Sequence, residues 1–365
     1  MSKLIKRPYV FMIGPGSGNK NGGGIATYID NIIPFLHQEY NIIRVVTVAE
    51  PNIIHRFYNL IQSVSKIIVI VVYNYSKPKI AHIHMASRWS FTRKRVIINI
   101  LHYLKIPIIL HLHGAEFDIF FEKESSKAYR RKIIQTFGLC DQIITLSLSW
   151  ENWLKSNIPH GNLKLVYNCS NDYLDNDLAK KRKNNVLLYM GRIGKRKGVF
   201  DLLDVLSEIE KEGYNFKMLI AGDGDLKKAI ARSIDLQIDK KVNFLGWVGN
   251  EKKRELLNLS TCYILPSYSE GMPIGILEAL SAALPIIATN IDGIVETIDH
   301  NKNGFMFNPG DKDRLKFFIK NILDDKTRAK EMGNNSRIKF IDKFGMETIS
   351  KSIKSSYQEV LRNAG

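Results

Sequence analysis

Short runs of β-branched and other apolar residues alternate along the chain with longer stretches whose apolar residues recur at helical spacing. This alternation favours strand–helix–strand units and parallel sheets over β-sandwiches or helix bundles. In the first half we predict strands at Tyr9–Ile13, Ile43–Val48, Ile80–His84, Ile106–His111 and Gln142–Ser147, and helices at Ala26–Glu39 and Phe91–Leu104. The pattern predicts a doubly wound α/β domain.

A second series of strands follows a break in the pattern. The segment 168–185 loses apolar periodicity and is interpreted as an interdomain linker. After it we predict strands at Val186–Met190, Lys217–Ala221, Lys241–Leu245, Cys262–Leu265 and Pro285–Ala288, and helices at Val199–Lys211 and Ile276–Ala283. A chain of 365 residues also exceeds what one core usually serves. We therefore predict one domain over 1–175 and another over 184–344, with a final helix at about 345–365 packing back on the first.

Composition is that of a soluble globular protein, with 45% hydrophobic and 24% charged residues. Cys140, Cys169 and Cys262 are widely spaced, which suits buried thiols in a reducing compartment and predicts no disulfide. The N-terminus has no signal-peptide pattern, and the most apolar run, Ile67–Val72, is too short to span a bilayer. We expect a cytoplasmic protein, with peripheral contact at the inner face of the plasma membrane as a further hypothesis.

Charge is uneven along the chain, whose formal net charge is +17. No Asp or Glu occurs between Pro51 and Ala115, and the basic block Arg88–Lys105 lies in this stretch. Such a block attracts phosphorylated substrates, anionic membranes or nucleic acids, although it also occurs as a solvated face. We hypothesise that Arg93, Lys94 and Arg95, with the apolar face of the helix, contact anionic lipid, and we expect no nucleic-acid partner.

A glycine-rich basic loop follows the strand Val186–Met190. It contains Gly191, Arg192, Lys197 and Gly198 and precedes a helix. Glycines let the backbone approach a pyrophosphate, and the two cations can neutralise its charge. The loop is interpreted as a phosphate-binding loop; the alternative is a basic surface turn.

Two shorter glycine turns follow the next strands. Gly222 begins a strand-to-helix turn of the kind that brings main chain close to a nucleotide. Trp247 follows Gly246 and can provide an apolar wall for a base, although an interior tryptophan is the alternative.

The segment Ser269–Ala279 is the most informative part of the chain. It places Glu270 on a loop and Glu278 in the following helix, separated by Gly271, Met272, Pro273, Ile274 and Gly275. Amides at such a helix start favour an anionic or hydroxyl-rich ligand, and carboxylates accept hydrogen bonds from vicinal hydroxyls. Charge complementarity at a helix N-terminus would explain Glu278 alone, and it leaves Glu270 unexplained.

The first half supplies a glycine loop and a set of histidines. Gly23 and Gly24 end a loop that lacks both the dinucleotide fingerprint and the P-loop sequence, and it is interpreted as a close-fitting loop over a phosphate or acceptor. His113 ends a strand, from which it can reach a substrate hydroxyl or a developing charge, whereas His111 is expected to be buried. His82-x-His84 and His111-x-His113 suggest metal, but no acid or cysteine lies nearby, so we expect none.

Taken together, the Gly22–Gly24 loop, His113-Gly114, Gly191-Arg192 with Lys197-Gly198, and Glu270 with Glu278 resemble the retaining glycosyltransferases of family four. The resemblance spans nearly the whole chain in the family's order. It implies the GT-B fold, in which two Rossmann-like domains with doubly wound parallel sheets face a cleft.

The resemblance also implies roles for single residues. Arg192 and Lys197 would hold the donor's diphosphate and stabilise it as leaving group, Glu278 would bind the ribose, and Glu270 the sugar hydroxyls beside amides from Met272 to Gly275. His113 would contact the donor sugar near the reacting carbon. The family uses no metal or other cofactor, and the resemblance implies none for this chain.

The expected function is retaining, hexosyl-type transfer from a nucleotide-diphosphate sugar to a hydroxyl acceptor. The acceptor is expected to be a glycan, in particular a lipid-linked precursor of a polysaccharide, an O-antigen or lipopolysaccharide. A nucleotide-sugar epimerase or hydrolase on the same fold is one alternative. A basic membrane-binding or nucleic-acid-binding protein is another, but it offers no use for Glu270 and Glu278.

Overall fold

The structure, a computed structural model, describes residues 7–16, 23–48, 53–73, 79–114, 116–182 and 184–364. It consists of two compact units. The N-terminal unit comprises Met1–Cys169 and Met346–Gly365, and the C-terminal unit comprises Ser170–Gly345.

The N-terminal unit is built on a six-stranded parallel sheet with the order β2-β1-β3-β4-β5-β6. Its strands are β1 (Tyr9–Pro15), β2 (Asn41–Val48), β3 (Lys79–Met85), β4 (Ile108–Leu112), β5 (Gln142–Thr145) and β6 (Leu163–Leu165). Its helices are α1 (Gly23–Leu36), α2 (Ile53–Tyr73), α3 (Trp89–Tyr103), α4 (Phe117–Ile119), α5 (Lys127–Gly138) and α6 (Leu148–Asn157), with a π-helical turn at Phe120–Glu124. The strand order reverses between β1 and β3, which is where ligands bind in open sheets of this kind.

Helices α2, α3 and α5 share one apolar core with this sheet. Ile67 of α2, Ile97 and Leu101 of α3 and Phe137 of α5 all belong to it and are essentially inaccessible to solvent. One part of the apolar surface of α2 and α3 thus faces the strands.

The C-terminal unit contains a second six-stranded parallel sheet, with the order β12-β11-β10-β7-β8-β9. Its helices and strands are α7 (Asn176–Lys180), β7 (Val186–Met190), α8 (Val199–Lys211), β8 (Lys217–Ala221), α9 (Leu226–Asp235), β9 (Val242–Gly246), α10 (Asn250–Leu259), β10 (Cys262–Leu265), α11 (Ile274–Ser281), β11 (Ile286–Thr289), β12 (Gly304–Phe307), α12 (Lys312–Asp324) and α13 (Lys326–Lys339). Three-residue 3₁₀ turns lie at Lys195–Lys197 and Asp292–Ile294, and a π-helical turn at Phe340–Phe344. The order is that of a dinucleotide-binding sheet, with its reversal between β7 and β10.

The last helix, α14 (Met346–Asn363), belongs to the N-terminal unit and packs on α1 and β3. Its Tyr357 is completely buried, and the Tyr357 ring meets Tyr40 edge to face at 5.1 Å. The chain therefore returns to its first unit after completing the second.

The prediction of two parallel α/β sheets is confirmed, and each predicted strand is present. Among the strands, the predictions did not include β6 and β12. Among the helices, they gave bounds only for α1, α3, α8, α11 and α14, so α2 is one of those not predicted. β6 and β12 are only three and four residues long, and both lie at the edges of their sheets.

Residues 170–182 are packed on the C-terminal unit rather than extended between the units. The Tyr173 amide donates to the Ser281 hydroxyl at 3.1 Å, and the Asp175 amide donates to Asn258 Oδ1 at 2.9 Å. These bonds explain why the units divide at Cys169 and Ser170 and not later in this polar segment.

Each of the three cysteines is a buried free thiol. Burial raises the pKa of each thiol, which favours the unreactive protonated form. Among the described helices, none has the length and apolar character needed to cross a bilayer.

Candidate functional site

The loops after β7 and β10 are joined at the point where the strand order of the C-terminal sheet reverses. The Tyr268 amide donates to the carbonyl oxygen of Arg196 at 2.8 Å, and the Arg196 guanidinium donates to the carbonyl oxygen of Ser269 at 2.6 Å. Gly198 has a φ of +68°, and a Cβ there would overlap the Pro266 carbonyl oxygen. Only glycine allows this approach without strain, so the two loops form one surface.

An ion pair between Lys197 and Glu270 crosses this junction. Ser267 donates its hydroxyl to the same carboxylate oxygen of Glu270 at 2.7 Å. The side chains of Lys197 and Glu270 are only 16% and 7% exposed, so the pair is partly withdrawn from water. The structure thus brings together the cation and the carboxylate that the sequence assigned to diphosphate and sugar, and it adds Ser267, for which no motif was recognised.

Arg192 lies on the same loop with its side chain exposed. Its Cγ would be 3.1 Å from a Cβ at Gly224, and its guanidinium forms no hydrogen bond with the described residues. Gly222 lies so close to the Gly191 carbonyl that any side chain there would overlap it. The glycines after β7 and β8 therefore let the two loops approach each other closely, and the Arg192 guanidinium beside them stays available to a ligand.

Glu278 is buried in the second turn of α11 and is paired with a residue that the sequence analysis missed. Lys253 of α10 donates to Glu278 Oε1 at 2.6 Å, and the Lys253 ammonium lies 5.5 Å from the centre of the Tyr173 ring. Burial raises the pKa of Glu278, and Lys253 opposes that rise. No sequence motif pointed to Lys253, because its contact depends on how α10 packs on α11.

The segment from Gly271 to Gly275 leads into the start of α11. Met272 is 4% exposed, and Gly275 packs against the hydroxyl of Tyr263. The N-cap residue Pro273 provides no side-chain acceptor for the first amides of the helix, which include that of Ile274. Such amides remain available to an anionic or hydroxylated ligand.

Trp247 is 61% exposed on the loop after β9. The alternative of an interior tryptophan is therefore wrong. An exposed indole at the carboxyl edge of the sheet can stack on a planar ligand.

The N-terminal unit gathers four histidines from β3 and from β4 and its end. The rings of His82, His84, His111 and His113 lie with neighbouring centres 4.1–5.3 Å apart, beside Tyr28. Burial lowers the pKa of His82 to about 3 and, with the neighbouring rings, holds the pKa of His84 and His111 well below the usual value. These imidazoles are neutral, and the expected burial of His111 is confirmed.

A chain of hydrogen bonds determines the tautomer of His113. His84 Nε2 lies 3.0 Å from the sulfur of Met12, and His84 Nδ1 lies 2.8 Å from His113 Nε2. A thioether has no proton to donate, so His84 must carry its proton on Nε2 and accept through Nδ1. His113 then carries its proton on Nε2 and leaves Nδ1, which bonds to none of the described residues, as an acceptor.

A second chain links His111 to α14. His82 Nδ1 lies 2.7 Å from the Tyr357 hydroxyl, and His82 Nε2 lies 3.1 Å from His111 Nδ1. The nitrogens of His82, His84 and His111 lie within 4.8 Å of one another, which is compatible with a metal ion. The direct ring-to-ring contacts instead fit neutral imidazoles that share protons.

The structure corrects the interpretation of two residues in the basic block Arg88–Lys105. Arg88 forms ion pairs with Glu116 at 2.8 Å and Glu124 at 2.5 Å, so acids that follow the acid-free stretch neutralise it. Lys94 is only 2% exposed and donates to the Ser90 hydroxyl at 2.7 Å. Neither cation is available to a membrane surface.

The predicted site residues therefore fall into two groups, one on each unit. The group on the C-terminal unit comprises Gly191, Arg192, Lys197, Gly222, Trp247, Glu270 to Gly275 and Glu278. His113 lies on the N-terminal unit, where Gly23 and Gly24 form the first residues of α1. Gly22 lies outside the described residues.

Solved structures with the same fold are glycosyltransferases. The chain superposes on sucrose-phosphate synthase from Thermosynechococcus elongatus with a TM-score of 0.81 and 17% identity, covering 98% of this chain and 100% of the other. It superposes on Anabaena HepE in complex with UDP and glucose with a TM-score of 0.74 and 18% identity, covering 96% and 99%. The fold is GT-B.

Sequence relatives are also named as glycosyltransferases. Residues 171–339 match the family model described as glycosyl transferases group 1. An uncharacterised glycosyltransferase of Methanocaldococcus jannaschii is 26% identical over 73% of each chain. The capsular polysaccharide biosynthesis glycosyltransferase CapM of Staphylococcus aureus is 26% identical over 62% of this chain and 61% of its own. Over residues 171–339 the chain is thus similar to the group 1 glycosyltransferases.

Proposed function

We propose that the protein is a family-four enzyme that transfers a hexosyl unit, with retention of configuration, from a nucleotide-diphosphate sugar to a hydroxyl acceptor. The observation that carries this proposal is the contact of Lys197 with Glu270 where the C-terminal sheet reverses its strand order. A cation for the diphosphate and a carboxylate for the sugar hydroxyls are in contact there, and Arg192 lies on the same loop as Lys197.

The donor's parts match the groups around this contact. Arg192 and Lys197 attract the diphosphate, the first as a planar fork and the second as a point charge. Trp247 stacks on the base, and Glu278, which Lys253 keeps oriented, accepts from the ribose hydroxyls. Glu270, supported by the Ser267 hydroxyl, accepts from hydroxyls of the sugar.

In the reaction, the bond between the anomeric carbon and the diphosphate oxygen breaks, and the acceptor oxygen bonds to that carbon on the same face. The acceptor's proton passes to the departing diphosphate. Arg192 and Lys197 stabilise the charge that develops on the leaving group, which is the task a divalent ion performs elsewhere. We therefore propose that no metal or other cofactor is required.

His113 contributes through its unprotonated Nδ1. Because His84 fixes the Nε2–H tautomer, Nδ1 accepts a hydrogen bond from a hydroxyl of the donor sugar. Burial, with the positive charge of Lys94 and the ring of His82, holds the pKa of His113 well below its usual value, so this acceptor persists at neutral pH.

We propose a lipid-linked glycan precursor as acceptor, in the synthesis of a polysaccharide, an O-antigen or lipopolysaccharide. CapM is named for capsular polysaccharide biosynthesis. A relative from Escherichia coli, 28% identical over 53% of this chain and 50% of its own, is named as a galactosyltransferase acting on a GlcNAc-diphosphoundecaprenol. These names support an acceptor of this chemistry.

A lipid-linked acceptor requires contact with a membrane, and α2 and α3 offer a suitable face. Ile61, Ile68, Val69 and Tyr73 are exposed along α2, and Trp89, Val96 and Tyr103 along α3. Neither helix carries an acidic residue. We propose that this face, named the α2–α3 face, docks peripherally on anionic lipid at the inner surface of the plasma membrane.

The experiment that tests the proposed function incubates the protein with a panel of nucleotide sugars, each with and without a short lipid-linked glycan. We expect one donor to raise the unfolding temperature and to release nucleoside diphosphate only when the acceptor is present. Release without acceptor, or interconversion of the sugar, would instead support a hydrolase or epimerase.

A further inference from the structure

We propose that Arg44 and Lys94 form a second phosphate-binding site, at the carboxyl edge of the N-terminal sheet, which takes the phosphoryl group nearest the acceptor glycan. The site lies where the order of this sheet reverses, between β1 and β3. Its assignment to the acceptor rests on the proposed function; the recognition of a phosphoryl group does not.

Lys94 is a buried cation with few partners. Its ammonium donates to the Ser90 hydroxyl at 2.7 Å, and Ser90 Oγ also accepts from the Ala86 amide at 3.1 Å. No carboxylate of the described residues pairs with Lys94, although its side chain is almost inaccessible. An ammonium buried without a counter-ion is costly, and an arriving anion removes that cost.

Arg44 lies on β2 and closes the carboxyl end of β1. Its guanidinium donates to the carbonyl oxygens of Met12, at 3.5 Å, and of Pro15. It forms no ion pair with the described residues, although the Asp30 carboxylate acts on it electrostatically. Two carbonyl oxygens leave its positive charge uncompensated.

Contacts through β1, β3 and β4 bring both cations to the same edge. A Cβ at Gly14 would lie 3.4 Å from Arg44 Nη1 and 3.5 Å from the Cβ of His84, which in turn contacts His113. On the other side, Gly114 packs against the backbone of Ala86, to which Lys94 is linked through Ser90. His84 and His113 thus connect the surroundings of Arg44 with those of Lys94.

The charges that act on Lys94 agree with its placement at the same edge of the sheet as Arg44. Burial, followed by the charges of Arg93 and Arg44, lowers the pKa of Lys94 to about 7. A phosphoryl group would reverse this effect, because its negative charge favours the protonated ammonium. A guanidinium fork beside a point charge suits phosphate geometry.

Phosphoryl groups could reach the site as free anions or as part of an isoprenyl diphosphate. The test therefore measures binding of inorganic pyrophosphate and of geranyl diphosphate by calorimetry. It is carried out on the full chain with Arg192→Ala and Lys197→Ala, which removes the two cations assigned to the donor diphosphate. The added variants are Lys94→Met, Arg44→Met and, as a matched control, Lys132→Met, an exposed lysine on α5.

We expect both Lys94→Met and Arg44→Met to weaken binding of geranyl diphosphate by at least about tenfold, the worth of a hydrogen bond to a charged group. Lys132→Met should bind as the parent does. Equal affinity for pyrophosphate supports recognition of the phosphoryl group alone, and tighter binding of geranyl diphosphate supports a lipid-linked source. Parent-like affinity of the Lys94→Met protein, or no binding by the parent, would overturn the proposal.

Proton uptake provides a second measurement. Near pH 8, binding should take up protons in the parent, since Lys94 gains its charge beside the anion. The other groups around Lys94 are Arg93, Arg44, His113 and Ser90. Of these, His113 is kept neutral by its burial and its neighbours. The Lys94→Met protein should take up none, and unchanged uptake would contradict the assignment.

Discussion

Lys197, on the loop after β7, pairs with Glu270, on the loop after β10, in the partly buried junction of the C-terminal sheet. Each side chain of this pair holds the other in place at the proposed donor site. An incoming diphosphate offers Lys197 a second anionic partner while Glu270 turns to sugar hydroxyls. Both residues can therefore be pre-positioned without the donor.

Replacing Lys253 by Met should lower the free energy of unfolding by about 3–5 kcal/mol at neutral pH, because it leaves the Glu278 carboxylate buried and unpaired. The loss should shrink as the pH falls, since burial raises the pKa of Glu278 and protonation removes the buried charge. Urea unfolding at two pH values measures both effects. The matched control is Lys252→Met, whose exposed partner is Glu255 and which should change stability by less than about 1 kcal/mol.

The tautomer of His113 can be measured directly by nitrogen NMR of histidine-labelled protein, with the signal assigned by its loss in His113→Gln. We expect a protonated Nε2 and an unprotonated Nδ1. Met12→Leu should raise the minor tautomer by up to about tenfold, because it removes the acceptor of His84. A protonated Nδ1 in the parent protein would show that the chain of hydrogen bonds runs the other way.

Buried neutral histidines should make the N-terminal unit sensitive to acid. The pKa of His82 is about 3 in the fold and about 6.5 in an unfolded chain, so between these values the unfolded chain binds more protons. Stability is then complete above about pH 6.5 and falls by about 1.4 kcal/mol per pH unit below it for this residue. His82→Gln should unfold with a shallower pH dependence between about pH 7 and pH 5. An unchanged slope would mean that His82 is charged in the fold.

The α2–α3 face should bind vesicles that contain anionic lipid and should bind neutral vesicles weakly. Ile68→Asp with Val69→Asp places two acids among its exposed apolar residues and should abolish co-sedimentation. The matched control changes Ile338 and Ile341 to Asp; both are similarly exposed but lie on the C-terminal unit. Equal loss in both variants, or none in either, would argue against this face.

Much of the fold could be predicted because its signals are local. β10 and α8 have the predicted bounds, since each is an apolar run or stripe bordered by polar residues. The glycines around Arg192 and Glu270 likewise marked the loops at the carboxyl ends of strands. α2 was missed, although its apolar run Ile67–Val72 had been recognised as too short for a membrane span.

Pairings between distant segments could not be predicted. Lys253 meets Glu278 and Met12 meets His84 only through packing, and neither contact leaves a motif in the sequence. The burial of Lys94 could not be predicted for a related reason. Lys94 has basic neighbours in the sequence, and only the fold shows which of these side chains is buried.

The most direct test of the central claim is the transfer rate of Lys197→Ala, compared with that of Lys195→Ala, an exposed neighbour on the same loop. If Lys197 stabilises the departing diphosphate, its loss should lower kcat by about 100-fold or more with the acceptor saturating. Lys195→Ala should stay within about twofold of the parent, as expected for a surface substitution. Full transfer activity in the Lys197→Ala protein would contradict the account.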